Sequence, residues 1–504
     1  MAVKIILLIL FFGVMMGIGV YARKHATDVN GFVLGGRSVG PWLTAFAYGT
    51  SYFSAVVFVG YAGQFGYKYG LASTWIGIGN AVLGSLVAWV VLGRRTRIMS
   101  KHLGSMTMPD FFGKRYDSQS LRIAASVIAF IFLIPYTASV YNGLSYLFGM
   151  AFDVDFRICV VVMAVLTGVY VIIGGYMATA WNDLIQGIIM LFGIVAVIAA
   201  VLSGHGGFMA AVKELAQGPS SVMPGAYASF LGPDPANLFG VVILTSLGTW
   251  GLPQMIQKFY AIKDEKAVHT GTIISTLFAI VVSGGCYFLG GFSRISGVKE
   301  AVDGTVKYDT IIPTMLSSLP DILIGIVIVL VLSASMSTLS SLVLTSSSTL
   351  TLDFIKPLFV KKMNEKQQLV WMRVLLAGFI LISVVIALDP PAFIAQLMGI
   401  SWGALAGAFL APFLYGLYWK GVTRAAVWAS FICGVGITVA NMFFRFIASP
   451  INAGAFAMVA GLVIVPVVSL ISPKLKKETV EDVFHCLEEK VMVEQKLALP
   501  EEEE

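Results

Sequence analysis

Residues 49–54 read Gly49-Thr50-Ser51-Tyr52-Phe53-Ser54, and residues 246–253 read Ser246-Leu247-Gly248-Thr249-Trp250-Gly251-Leu252-Pro253. Each stretch lies in the middle of an apolar segment long enough to cross a bilayer. In each, glycines, helped in the second by a proline, weaken the helical hydrogen-bond ladder. Unwound backbone survives at membrane depth only where it lines a cavity or is buried in protein, so a matched pair of interruptions points to a transport site. The competing reading is that the glycines only let neighbouring helices approach closely.

The surrounding chain is built for lipid. Of its 504 residues 58% are hydrophobic and 12% charged, against about 45–50% and about 25% in ordinary soluble domains. Apolar runs near the roughly 20 residues needed to cross a hydrocarbon core recur from end to end, which predicts helices rather than barrel strands. Windows of that length give about thirteen spans, at 3–21, 40–67, 70–92, 122–149, 156–175, 179–203, 236–257, 268–293, 310–350, 369–388, 392–416, 425–444 and 453–471. The first has one early lysine and leads into Arg23 and Lys24, so it reads as a retained span and not a signal peptide. With it set aside, the interrupted spans are the first and sixth of ten, the spacing of two five-helix repeats of inverted topology. The expected organisation is a leading helix and loop (1–39), a first repeat (40–203), an extracellular loop (204–235), a second repeat (236–416), two trailing helices (417–473) and an acidic tail (474–504).

Charge sets the expected orientation. Alternate loops carry Arg23, Lys24 and Arg37; Arg94, Arg95, Arg97, Lys101, Lys114 and Arg115; Lys258, Lys263 and Lys266; Lys356, Lys361, Lys362 and Lys366; Lys420 and Arg424; and Lys474, Lys476 and Lys477. The remaining loops carry only Lys68, Arg157, Lys213, Arg294, Lys299, Lys307 and Arg445. The positive-inside rule places the first set in the cytoplasm, the N-terminus outside and the tail inside. Because these charges serve orientation, the net charge of +6 implies no nucleic-acid partner. Cys159, Cys286, Cys433 and Cys486 are scattered singly and suggest neither zinc nor disulfides.

Three groups of residues, in order along about residues 30–430, resemble the sodium/solute symporter family: Gly35-Gly36-Arg37-Ser38-Val39-Gly40-Pro41; Ile173-Gly174-Gly175-Tyr176 with Ala180-Trp181-Asn182-Asp183 and Gln186-Gly187; and Met336-Ser337-Thr338-Leu339-Ser340-Ser341. Tyr176 stands where the family usually has leucine, methionine or phenylalanine. The resemblance implies an all-α polytopic protein of the LeuT type, with 5+5 inverted repeats, one extra leading helix and two trailing ones. It also implies a principal sodium site formed by the carbonyls of Thr50, Phe53 and Ala334 and the side chains of Ser337 and Thr338. Hydroxyls and freed carbonyls are apt ligands for a hard cation, and Ser337, Ser340 and Ser341 share one helix face at i, i+3 and i+4. Isolated membrane serines more often bond back to their own helix or glue helices together.

Asp183 is the one carboxylate placed within the bilayer after the glycine pair, where an uncompensated charge costs at least about 2.5–3.5 kcal/mol. Some family members build a second sodium site from this aspartate and nearby serines, here Ser337, Ser340 and Ser341. Alternatively Asp183 lies near a helix N-terminus and is held by free amides. The sequence leaves both open.

For the substrate, the proline-transporting branch has an aspartate and tryptophan in the first broken helix and a tryptophan and tyrosine in the second. This chain has Tyr52, Val56, Thr245 and Thr249 there. Gly251-Leu252-Pro253, Lys263-Asp264, Lys266-Ala267-Val268-His269 and Tyr52 are similar to the pantothenate-transporting branch instead. Expected pocket residues are Tyr52, Phe53, Gln64, Asn80, Tyr136, Asn142, Thr249, Trp250 and Gln254, which offer aromatic walls or neutral hydrogen bonds. Half-helix N-termini favour a small carboxylate-bearing solute, such as an amino acid, a monocarboxylate or pantothenate. The expected function is sodium-coupled import by alternating access, with sodium, a small solute and the lipid bilayer as partners.

Two other classes fit less well. An enzyme would need a catalytic constellation, yet His25, His102, His205, His269 and His485 fall in or near loops without metal-ligand spacing. A channel or a transporter-like sensor is the other; for a sensor, the tail with Glu481, Asp482, Glu488 and Glu489 offers no second core.

Overall fold

In a computed structural model, residues 2–152, 154–220, 222–297, 306–389 and 393–498 are described. Lys299 and the four terminal glutamates lie outside them. The described chain is helical, with a single isolated bridge between Val39 and Ile262. Lipid as solvent extends apolar residues to the surface: Phe192, Phe443, Phe444 and Ile471 are exposed, while many serines and threonines are buried within the apolar core.

The chain begins with α1 (Ala2–Ala22). α2 (Pro41–Tyr52) stops at Phe53, whose φ of −105° and ψ of 88° leave the helical region. Ser54 restarts the chain: its carbonyl accepts from Val57 and Phe58, and its hydroxyl accepts from the Val56 amide. A π-helical turn (Val56–Tyr61) leads into α3 (Ala62–Tyr69), and α4 (Thr74–Ala81) follows. The long α5 (Gln119–Phe152) precedes α6 (Phe156–Gly204). The second interruption lies between α7 (Pro235–Leu247) and α8 (Pro253–Ala261), where a 3-10 turn (Gly248–Gly251) and an extended Leu252 bend the span by 47°. Pro253 suits the restart because its missing amide would be unpaired at a first helical position anyway. Then come α9 (Glu265–Gly290), α10 (Asp321–Thr349), α11 (Glu365–Leu388), α12 (Ile394–Tyr418), α13 (Arg424–Phe444), α14 (Pro450–Ile471) and α15 (Lys477–Ala498).

Among the described residues ten helices are long and apolar enough to cross a membrane, or eleven with the bent pair joined. The sequence expectation of about thirteen differs where helices run on without a loop. α6 has 49 residues, about 74 Å if straight, more than twice a hydrocarbon core. It is not straight: Gly175, at φ 56° and ψ −149°, breaks it where the expected spans 156–175 and 179–203 meet. Only glycine adopts that conformation readily, and a Cβ there would also strike Phe32. Gly70, at φ 62°, similarly divides the stretch Val56–His102.

Gly251 has a different task. A Cβ on it would sit 2.7 Å from Ala406 Cα and 2.8 Å from Leu410 N, so the broken span can lie backbone-to-backbone against α12 only with glycine here. At one end of the bundle Arg122 holds three segments together, pairing with Asp353 at 2.8 Å and Asp110 at 3.2 Å. Within the tail, α15 places Phe484 on the Arg115 guanidinium and pairs Glu488 with Lys420 at 2.7 Å.

Candidate functional site

Breaking α2 at Phe53 leaves the carbonyls of its last turn without helical partners, at the end where the helix dipole is negative. α10 answers them with hydroxyls. Ser337 Oγ donates toward the Thr50 carbonyl at 3.0 Å and the Ala334 carbonyl at 3.1 Å. Thr338 Oγ1 lies 3.3 Å from Thr50 O, 3.4 Å from Ser51 O and 3.1 Å from Ala334 O. Four of the five expected principal-site residues are thereby brought together: Thr50, Ala334, Ser337 and Thr338. The carbonyl of Ser51, which the sequence reading did not single out, joins them, whereas the Phe53 ring stacks on Tyr52 and Phe278. These buried, neutral oxygens form a donor set that fits a sodium ion without burying a counter-charge.

Beside this cluster lies a charged one. Asp183 is fully buried on α6, and neither carboxylate oxygen has a hydrogen bond of normal geometry. It stands two turns past Gly175, beyond the first turn whose amides are free, so it does not cap that helix. Its compensation comes from Lys258 on α8, whose Nζ is 3.9 Å from Asp183 Oδ2 and 2.9 Å from Ser341 Oγ. The Lys258 ammonium also faces the Tyr176 ring, 5.1 Å from its centroid. Ser341 in turn shares a 2.8 Å hydrogen bond with Ser51 Oγ. The Ser340 hydroxyl instead donates to the Ser337 carbonyl of its own helix at 2.9 Å.

The loop placement of Lys258 is thus corrected: it is 1% exposed, inside the broken span. The span was expected to end at residue 257, but the helix continues to Ala261, and arginines hold the Tyr260 carbonyl and the two carbonyls just past the helix. Arg37 bonds Tyr260 O at 3.4 Å, and Arg97 bonds Ile262 O and, at 3.0 Å, Lys263 O. Burial and then the neighbouring Arg97 charge push Arg37 down to about 10. A lysine one residue past an assumed boundary gives no sign of burial in its own composition. The arginines that displace that boundary come from distant sequence.

A model of the sodium:solute symporter family matches residues 32–434. The chain belongs to the sodium:solute symporter family. Sodium/proline symporters of Staphylococcus aureus strains JH9 and COL are 28% identical to it over 488 residues, covering 94% of this chain and 93% of each relative. A Na+-coupled sialic acid symporter solved in a substrate-bound outward-open state superposes with a TM-score of 0.76 at 16% identity, covering 94% of this chain and 99% of that one. A nucleobase-cation-symport-1 family transporter in a closed conformation gives 0.55 at 13% identity, covering 90% and 97%. The symporter has the LeuT-type fold, is a multi-pass membrane protein, and uses sodium as its coupling ion.

The expected pocket residues separate into groups in this symporter. Tyr52 stacks on Phe53 with ring centroids 4.2 Å apart and on Trp402 at 6.0 Å, and Tyr136 meets Trp402 edge-on at 5.9 Å. Trp402 was not expected; it comes from α12, which nothing in the sequence pattern places beside the breaks. Thr249 and Trp250 reach the same neighbourhood from the second break, Thr249 Oγ1 donating to Gly84 O at 3.2 Å and Trp250 Nε1 to Leu83 O at 3.0 Å. Asn80 ties helices together, with Ser283 at 3.1 Å and Ser246 at 3.2 Å. Asn142 and Gln254 are buried with no partner for their amide groups. Gln64 lies apart from the aromatic group, on a cavity of about 770 Å³ with Lys68, Tyr227 and Arg294.

Proposed function

We propose that this symporter carries a small carboxylate-bearing metabolite, an amino acid, a monocarboxylate or pantothenate, into the cell across the inner membrane by alternating access. In this reading residues 40–203 and 236–416 are the two inverted repeats, with 1–39 leading, 204–235 an outer loop, 417–473 trailing and 474–504 a cytoplasmic tail. Apart from the buried Lys258, the first set of loop lysines and arginines lies on the cytoplasmic side, and the N-terminus lies outside.

The observation that carries the sodium site is the convergence of the Ser337 and Thr338 hydroxyls on the Thr50 carbonyl, freed where α2 breaks. Sodium bound there joins α10 to the first broken helix. An ion that favours one arrangement of these two elements raises substrate affinity by a reciprocal coupling free energy. The Tyr52, Phe53, Tyr136, Thr249, Trp250 and Trp402 group supplies walls for an apolar body. α8 begins in mid-span with a buried, unpartnered Gln254 amide, an N-terminus suited to a carboxylate.

The test is uptake into proteoliposomes under an inward sodium gradient. Proline, the solute named for the staphylococcal relatives, and pantothenate head the screen, followed by other amino acids and monocarboxylates. Ser337→Ala/Thr338→Ala should raise the sodium concentration for half-maximal uptake at least tenfold in a folded protein. Unchanged sodium dependence would remove the site assignment, and solute uptake indifferent to sodium would remove the coupled reading.

A further inference from the structure

Four helices meet at Asp183, Ser341, Ser51 and Lys258, and the charges there are already matched. Asp183 on α6 and Lys258 on α8 are 0% and 1% exposed, with Nζ and Oδ2 3.9 Å apart. The ammonium also donates to Ser341 Oγ at 2.9 Å, occupying one of the hydroxyls that a sodium ion beside Asp183 would need. Ser340, another expected ligand there, spends its hydroxyl on its own helix. One buried carboxylate compensates one cation. A sodium ion added next to a charged lysine would leave a net positive charge away from water, which low dielectric makes unfavourable. The residues at the second position therefore do not fit a second sodium ion.

We propose that Lys258 is a tethered cation standing where a second sodium ion would sit beside Asp183, so that the symporter couples to one sodium ion, at the principal site. The inference rests on the sodium-coupled reading above and adds its stoichiometry. It also gives Lys258 a place in the cycle. Ser341 links the ammonium to Ser51 through a 2.8 Å hydrogen bond, and the Ser51 carbonyl lies 3.4 Å from Thr338 Oγ1. The fixed charge on the second broken helix is thus two hydroxyls from the sodium ligands of the first, and it keeps α6, α8 and α10 together whether or not sodium is bound.

Radiosodium binding to purified protein in detergent tests this without knowledge of the solute. Wild type should saturate at one sodium ion per protein. Lys258→Gln should saturate at two with a Hill coefficient above one, because the vacated position regains a carboxylate in need of a cation. Lys258→Gln/Asp183→Asn should return to one. Two ions bound by wild type, or one by a folded Lys258→Gln, overturns the proposal while leaving sodium coupling intact. No saturable sodium binding by wild type would instead overturn the coupled reading itself. If Lys258→Gln proves unstable, sodium chloride but not choline chloride should raise its thermal unfolding midpoint above the shift seen in wild type. Equal shifts in the two salts would reject a sodium-for-lysine exchange.

Discussion

The two broken helices use one sequence device for two kinds of chemistry. The first breaks after α2, so what it offers the interior is the carboxyl end of a half-helix: free carbonyls, a negative dipole end and no formal charge. Those oxygens meet Ser337 and Thr338. The second breaks before α8 and swings a nine-residue helix inward, and with it a lysine side chain that meets Asp183. Neutral oxygens leave room for a mobile cation. A covalently held ammonium does not. Similar interruptions in sequence therefore say where a site is, while the end of the helix that faces inward decides what the site can hold.

The largest effect expected from disturbing this contrast falls on the charged side. Asp183→Asn leaves the Lys258 ammonium buried without its partner, and breaking a buried pair by removing one member typically costs about 3–5 kcal/mol. Thermal unfolding in detergent should report a large loss of stability that added sodium does not restore, since sodium cannot neutralise an excess positive charge. A variant as stable as wild type would mean that the pair contributes little.

Next in size is the close approach that places α8. Gly251→Ala brings a Cβ against the backbone of Ala406 and Leu410, and overpacking of this kind costs about 1–3 kcal/mol. Because backbone must shift, uptake should fall more than stability alone explains. Wild-type transport in this variant would show that the second break tolerates a wider gap to α12.

The smallest effect separates neighbours on α10. The Ser340 hydroxyl donates to the Ser337 carbonyl of its own helix and not to the Thr50 carbonyl, so Ser340→Ala should change the sodium concentration for half-maximal uptake less than twofold. Ser337→Ala should shift it about tenfold, equivalent to about 1.4 kcal/mol. Equal shifts from both would merge the neutral and charged clusters into one site and erase the contrast drawn between them.

By itself the sequence determined the solvent, the helical class, the two interruptions and the hydroxyl stripe of α10. These are local properties: apolar length, glycine and proline in mid-span, and serines spaced three and four residues apart. The resemblance to the family suggested the Thr50, Ala334, Ser337 and Thr338 group, whose atoms the fold brings together. What only the tertiary structure decided is which distant groups meet. Trp402 reaches Tyr52 because α12 packs against the second break. Lys258 lies inside the bundle because its helix runs on to Ala261, where Arg37 and Arg97, far away in sequence, hold the Tyr260 carbonyl and the backbone that follows the helix. Hydropathy places a lysine near a span end in water, since it weighs each charge alone. The cost of burying it is offset only when a carboxylate from another helix faces it, and that pairing is a fact of three dimensions.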